Sequence, residues 1–439
     1  MKTNTIDPRG FISGPYIKCP KCGKDSFGIL SIHDNHYSRR CKKCLFPNRT
    51  ESGGGFPLPE LNKKIIYIDQ FAISNMMKAL NPQTKTYKEG TLDEFWIRVF
   101  DRLARLCKLQ LIICPFSGFH TNESLLSPYF EHLKRMYELL SYGISFYNHK
   151  KIKISQIYNH AKNWISGEGE KLLNLDVHSV VHGKINAWQD RVLISMNWQY
   201  DIDCIDNLRK TREKTHKEFS EIFKRWQSEK NKTFDDWFEE ESMGFGRAII
   251  RNYLSYEKRI EEIFKGDIEI TEKNMNVLFP PLSAGIIDSI HDAFRKRGIK
   301  NSDIWPKTFE YLTSPSLKDV PFLKIYSMLV ASIARKAAAG RKKPPNQGMA
   351  NDIEIISVLL PYCDAMFIDN ECHNYLKEQP LCDAIDYGTV FYSQKTKDEF
   401  LNYLDEIELK TTKGHFEKVD EVYGKSWRKP YKTIYVENR

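Results

Sequence analysis

No stretch of this 439-residue chain approaches the ~18 consecutive apolar residues that a membrane-spanning helix requires. The opening segment MKTNTIDPRGF also lacks the basic-then-apolar layout of an export signal. Spanning a membrane and secretion are therefore not expected, and the chain reads as a soluble cytoplasmic protein. Ten cysteines are too few for a disulfide scaffold at this length. A Ser/His nucleophile unit is wanting too. Ser117 and His120 lie close together, but no oxyanion loop and no third member accompany them. Their expected place is at the substrate, with His120 orienting a phosphate or a carboxylate.

What is present is a generous core and an excess of positive charge. Apolar residues make up 41% and aromatics 13%, enough for two or three domains. The net charge of +9 favours polyanionic partners, nucleic acid among them. Cys19-x2-Cys22 and Cys41-x2-Cys44 have the spacing of a four-cysteine zinc site, with a hairpin expected around Asp34-Asn35. A zinc ribbon over 15–50 follows. Four thiolates close the coordination shell, so the Zn²⁺ should be structural. Lys18, Lys21, Lys24, Arg39, Arg40, Lys42 and Lys43 surround it and either touch phosphates or solvate a small domain. Cys107, Cys114, Cys204, Cys363, Cys372 and Cys382 read as free thiols, mostly buried. Residues 51–62, rich in Gly and Pro, read as a linker.

Beyond it a folded unit begins at Lys63, and Ile65–Ile68 is an apolar run without alternation, as in a parallel strand covered on both faces, that ends in Asp69. Thr91 to Glu94 has capping-box spacing before a helix with Leu92, Trp96, Val99, Leu103 and Leu106 on one face. A second strand over 109–117 precedes a helix whose first turn should hold Glu123. From about 146 to 317 helical patterns dominate, and this stretch is expected to be an insertion. Trp164, Trp188, Trp198, Trp226, Trp237 and Trp305 lie in it; core packing is the favoured reading over base stacking. A helix from Pro321 ends at Gly340. The basic loop Arg341-Lys342-Lys343 then leads to Asp352 at a helix start, and strand Ala365–Ile368 ends in Asp369. The loop is expected to run along a phosphate backbone, or else to serve as a solvated connector. A last strand is expected within 386–393, then a helix over 396–408, and a basic, aromatic tail over 411–439.

Two strands ending in acids, with Asp352 and Asp369 seventeen residues apart, point to a carboxylate cluster at the C-terminal edge of a sheet. Asp69, Glu123, Asp352 and Asp369 supply the oxygen ligands that Mg²⁺ or Mn²⁺ prefer. Such ions activate water in phosphodiester hydrolysis.

The same residues carry a resemblance. YIDQFAISNM is similar to the first motif of PIN-domain nucleases, and NDIEIISVLLPYCDAMFIDNE to the third and fourth. CPFSGFHTNESLL looks like the acidic second motif of PIN-like defence or toxin proteins. The resemblance covers 63–145 and 318–410. It departs from the family at Phe71 and Phe367, where small polar residues are usual. It implies a PIN-like, doubly wound parallel sheet, four acids around Mg²⁺ or Mn²⁺, and RNA cleavage. The protein expected is then a metal-dependent endoribonuclease of the toxin or antiviral-defence kind, with a protein partner or homo-oligomer conceivable. The alternatives are a non-catalytic nucleic-acid-binding adaptor working through the ribbon, and a DNA-cutting nuclease.

Overall fold

A computed structural model describes residues 7–47, 55–91, 93–167, 173, 175–191, 202–271, 278–431 and 434–435. The expectations for Leu92 and Trp198 lie outside these, as does part of the linker. The side chain of Cys204 is also outside them.

The N-terminal sheet runs β1 (Ser13–Lys18), β2 (Asp25–His33), β3 (His36–Cys41) and β4 (Phe56–Pro57), antiparallel in that order. The β2–β3 turn falls at Asp34-Asn35, and Asp34 takes the left-handed conformation that the turn requires. β4 and the buried Leu58 and Leu61 belong to the stretch expected to be a linker, which is therefore partly built into the fold.

The body begins with β5 (Lys64–Ile68), then α1 (Gln70–Leu80), α2 (Lys85–Glu89), α3 (Phe95–Lys108) and β6 (Ile112–Ile113). Next come α4 (Gly118–Ser124), α5 (Phe130–Ser141), β7 (Ser145–Phe146), α6 (His149–Ile165) and β8 (Val181–His182). The helical stretch continues with α7 (Ile202–Ser228), α8 (Phe234–Lys265), α9 (Leu282–Lys296), α10 (Asn301–Leu312) and α11 (Pro321–Ala338). The chain ends with α12 (Met349–Leu359), β9 (Ala365–Phe367), α13 (Asn370–Lys377), α14 (Leu381–Ala384), β10 (Val390–Tyr392), α15 (Lys397–Leu409) and α16 (Lys413–Tyr423). No helix among the described residues is long and apolar enough to cross a membrane.

β10, β9, β5 and β6 form a four-stranded sheet in that order, every pair parallel. The class is mixed α/β. Alternation along each strand sends Ile66, Ile68, Ala365 and Phe367 to one face, against α1, α3, α5 and α15. Ile65, Tyr67 and Met366 go to the other face, against α6, α9, α11 and α12. Both faces are covered, which is why the strands are apolar at every position after the exposed Lys64 that opens β5. The helical stretch expected to be an insertion shares this second core rather than forming one of its own. Trp226 and Trp237 are buried there, and Trp164 packs against it, whereas Trp305 is 46% exposed.

Several local expectations shift. The N-terminus of α3 is held by Asp93, whose carboxylate accepts from the Phe95 N–H at 3.0 Å, not by a Thr91 box. The edge strands are shorter than their apolar runs: β6 keeps only two residues before Pro115. Phe71, Phe95, Trp96 and Phe367 pack ring against ring, so Phe71 and Phe367 take part in an aromatic cluster of the core. Trp188 packs not with the other tryptophans but between the ribbon and α16, in a cluster with Ile29, Ile32, Leu58, Leu61, Val419 and Val422. Its indole N–H donates to the Pro59 carbonyl at 2.8 Å. The basic tail thus docks on its own chain. Among the free thiols Cys107, Cys114, Cys363 and Cys372 are buried, and Cys382 is exposed.

Candidate metal centres

The ribbon cysteines converge. Cys19 and Cys44 Sγ lie 3.7 Å apart, as do Cys22 and Cys41. Four ligands at ~2.3 Å from a tetrahedral zinc stand ~3.8 Å from one another, so the four sulfurs already have the spacing of a closed structural site. The two CxxC turns are built alike. Gly23 N–H donates to Cys19 O and Leu45 N–H to Cys41 O, both at 2.9 Å. Gly23 and Leu45 take positive φ, which in Leu45 is an accepted strain that closes the second turn. The N–H groups of Lys43 and Cys44 approach Cys41 Sγ at 3.4 Å and the Ser26 hydroxyl lies 3.0 Å from it, supplying charge-stabilising contacts to a thiolate.

The second centre lies at the sheet's switch point. From β5 the chain crosses to β6 with α1 and α3 on one face, whereas β9 proceeds to β10 with α13 and α14 on the other. Loops after β5 and β9 therefore part in opposite directions and leave a crevice at the strands' carboxyl ends. Asp69 and Asp369 occupy its two lips. Each caps the helix that follows: Asp69 Oδ1 accepts from Phe71 N–H at 3.4 Å, and Asp369 Oδ1 from Glu371 N–H at 2.6 Å and Cys372 N–H at 3.1 Å. Asp352, in the first turn of α12, closes the crevice from the side. One ligand atom each of Asp352, Asp369 and Cys372 lies within 4.8 Å of the others.

Glu123 joins from α4, in its last turn and not in the first as expected. Its Oε1 accepts from Arg212 Nη2 at 3.0 Å and from Asn351 Nδ2 at 3.4 Å. Burial, then Glu123 and Asp369, push Asp69 up from 3.8 to about 8, against the pull of the Phe71 and Gln70 N–H groups. Burial, then Asp69, Asp369 and Glu123, hold Asp352 well above the carboxylate range. Glu123 is raised by burial, with Arg212 and Asn351 opposing. Asp369 Oδ2 and Gln70 Oε1 are shielded from solvent and have no hydrogen-bond partner among the described residues. Asp352, Asp369 and Cys372 are close enough together to hold a metal ion, and Asp69 and Glu123, outside that group, act on Asp352 electrostatically.

The residues expected at the substrate fare differently. Ser117 and His120 are buried and serve the scaffold. The Ser117 hydroxyl caps α4, and His120 Nδ1 accepts from Ser117 N–H at 3.1 Å. His120 Nε2 donates to the Ile68 carbonyl at 2.9 Å, so both ring nitrogens are spent on backbone, one of them on the residue before Asp69. The ring stacks on Tyr67, and burial lowers its pKa to about 4. Both side chains are thus engaged in scaffold contacts beside Asp69. Arg341 is bound to Glu371 at 2.5 Å and to the Tyr375 hydroxyl at 2.6 Å, which fixes the loop rather than offering a free cation. Lys342 and Lys343 are exposed. Two contributors had no sequence signal: Cys372, one turn into α13, and Arg212, within a run of alternating charges on α7.

No protein-family model matches this chain, and neither the curated proteins nor the solved structures contain a significant match.

Proposed function

We propose that this protein is a PIN-like, metal-dependent endoribonuclease, in which Asp69, Asp352 and Asp369 hold Mg²⁺ or Mn²⁺ and Glu123 either joins them or positions the attacking water. The observation that supports this reading is that Asp352 and Asp369 bring ligand atoms within 4.8 Å of each other, with Asp69 and Glu123 close enough to raise the Asp352 pKa and with Asp369 Oδ2 shielded and without a partner among the described residues. A divalent ion bound there would lower the pKa of a coordinated water and stabilise the leaving oxygen of a phosphodiester. The chain's own part is to hold the acids in register through the α1 and α13 caps and the His120–Ile68 bond. Keeping the crevice largely closed to bulk water strengthens each charge interaction within it. Exposed Lys342 and Lys343, just before α12, suit the flanking phosphates, and the net charge of +9 favours approach of a polyanion. The four ribbon thiolates fit a structural Zn²⁺ that steadies a substrate-facing module.

The test is cleavage of end-labelled single-stranded RNA and DNA with Mn²⁺ or with EDTA. The wild-type chain should cut RNA only with Mn²⁺, and Asp352→Asn should be inactive while folded. Equal cleavage by Asp69→Asn, Asp352→Asn and wild type overturns the assignment. Cleavage of DNA alone changes the substrate class.

A further inference from the structure

We infer that Arg212, carried by α7 of the helical stretch, binds the scissile phosphate of the substrate; this rests on the nuclease reading. Arg212 faces the crevice because it lies on the buried side of α7. Phe219, Phe223 and Trp226 continue the same stripe seven, eleven and fourteen residues on and pack into the core. α7 in turn packs on α11 and α12, the helix that carries Asp352.

The guanidinium is therefore aimed, not free to roam, and it is only 27% exposed at the side chain. Nη2 is spent on Glu123 at 3.0 Å. Among the described residues Nε and Nη1 have no hydrogen-bond partner, so an edge of the planar fork remains available to two oxygens of a phosphate. Other cations nearby differ. Arg341 is consumed by Glu371 and Tyr375, and Lys342 and Lys343 sit on an exposed loop. Arg212 is the cation held directly against a cluster carboxylate, and it pulls the pKa of both Glu123 and Asp352 downward. The ion pair places positive charge where a pentacoordinate phosphorus would gather negative charge. The helical stretch is then part of the catalytic crevice, not an appendage to it.

Arg212→Ala and Arg212→Lys separate the possibilities; the lysine variant retains a partner for Glu123 if the alanine variant folds poorly. Three quantities are read on each: Mn²⁺ binding by calorimetry, affinity for a single-stranded RNA oligomer in Ca²⁺ as salt is varied, and single-turnover cleavage in Mn²⁺. Mn²⁺ affinity should be unchanged or tighter, because a competing cation is gone. Arg212→Ala should lose on the order of 10²- to 10³-fold in cleavage rate, the loss typical of one charge-stabilising donor. Its salt slope for RNA should fall by about 0.7, the value for one phosphate contact on a single strand. Arg212→Lys should recover the slope but only part of the rate. Unchanged cleavage and RNA affinity in Arg212→Ala, with Mn²⁺ binding intact, overturn this inference alone. A wild-type chain that binds no Mn²⁺ overturns the nuclease reading and this inference with it.

Discussion

Replacing Asp69 with Asn should make the metal-free protein more stable and less responsive to metal. In the folded chain Asp69 ionises near 8, against 3.8 when unfolded, chiefly through burial and then through Glu123 and Asp369. Its folded pKa is raised, so between pH 3.8 and 8 the native state keeps a proton that the unfolded chain has lost. Native stability is therefore favoured at the acid end of that window and declines as pH rises through it. At ~1.4 kcal/mol per pH unit the full penalty above pH 8 is up to ~6 kcal/mol, and ~4 kcal/mol is already incurred at pH 7. Asn keeps the cap on α1, since it accepts from an N–H as well as Asp does. Urea unfolding in EDTA across pH 5–8.5 should give a falling curve for the wild type and a flatter, higher one for Asp69→Asn, by a few kcal/mol at pH 8. Saturating Mn²⁺ at a hundredfold above Kd should return ~2.7 kcal/mol to the wild type and distinctly less to the variant. An Asp69→Asn protein that is no more stable in EDTA at pH 8, and gains as much from Mn²⁺, would refute the repulsion argument.

Purified protein should carry about one zinc per chain, and Cys41→Ser should release it while loosening β1 to β4 and their seat on Val419 and Val422. Hydrogen exchange that shows the parallel sheet protected and the ribbon open would agree; full zinc retention by the variant would not. His120 titrates near 4 when folded and 6.5 when unfolded, a lowered folded value, so stability should drop as pH falls from 6.5 to 4 by up to ~3 kcal/mol. His120→Gln, which cannot take up that proton, should lose this acid limb in thermal melts; an identical limb in the variant counts against the burial of a neutral imidazole.

Much of this arrangement is legible in the chain, and the parts that are not have identifiable causes. Ile65 to Asp69 and Ala365 to Asp369 declare buried strands with an acid at the end, because an all-apolar strand is stable only with helices on both faces. The CxxC pairs declare the ribbon, because the zinc geometry depends on local spacing. The scaffold contacts of Ser117 and His120 are not legible because a hydroxyl three residues before an imidazole looks the same whether it faces a substrate or caps a helix, and burial is a tertiary property. Arg212 is invisible among the charges of 206–230 until α7 is packed and its stripe of Phe219, Phe223 and Trp226 fixes which cation turns inward. Leu58 and Leu61 look like linker residues until Trp188, far along the chain, covers them.

The central claim, that carboxylates from β5, β9, α12 and α4 share a divalent ion, is tested most directly by anomalous diffraction from crystals of the protein soaked in Mn²⁺. The account predicts a peak in the switch-point crevice, bonded to oxygens of Asp352 and Asp369 with Asp69 in contact directly or through water, and absent from Asp352→Asn crystals. A crevice without a peak at saturating Mn²⁺, or an unchanged peak in the variant, would contradict it.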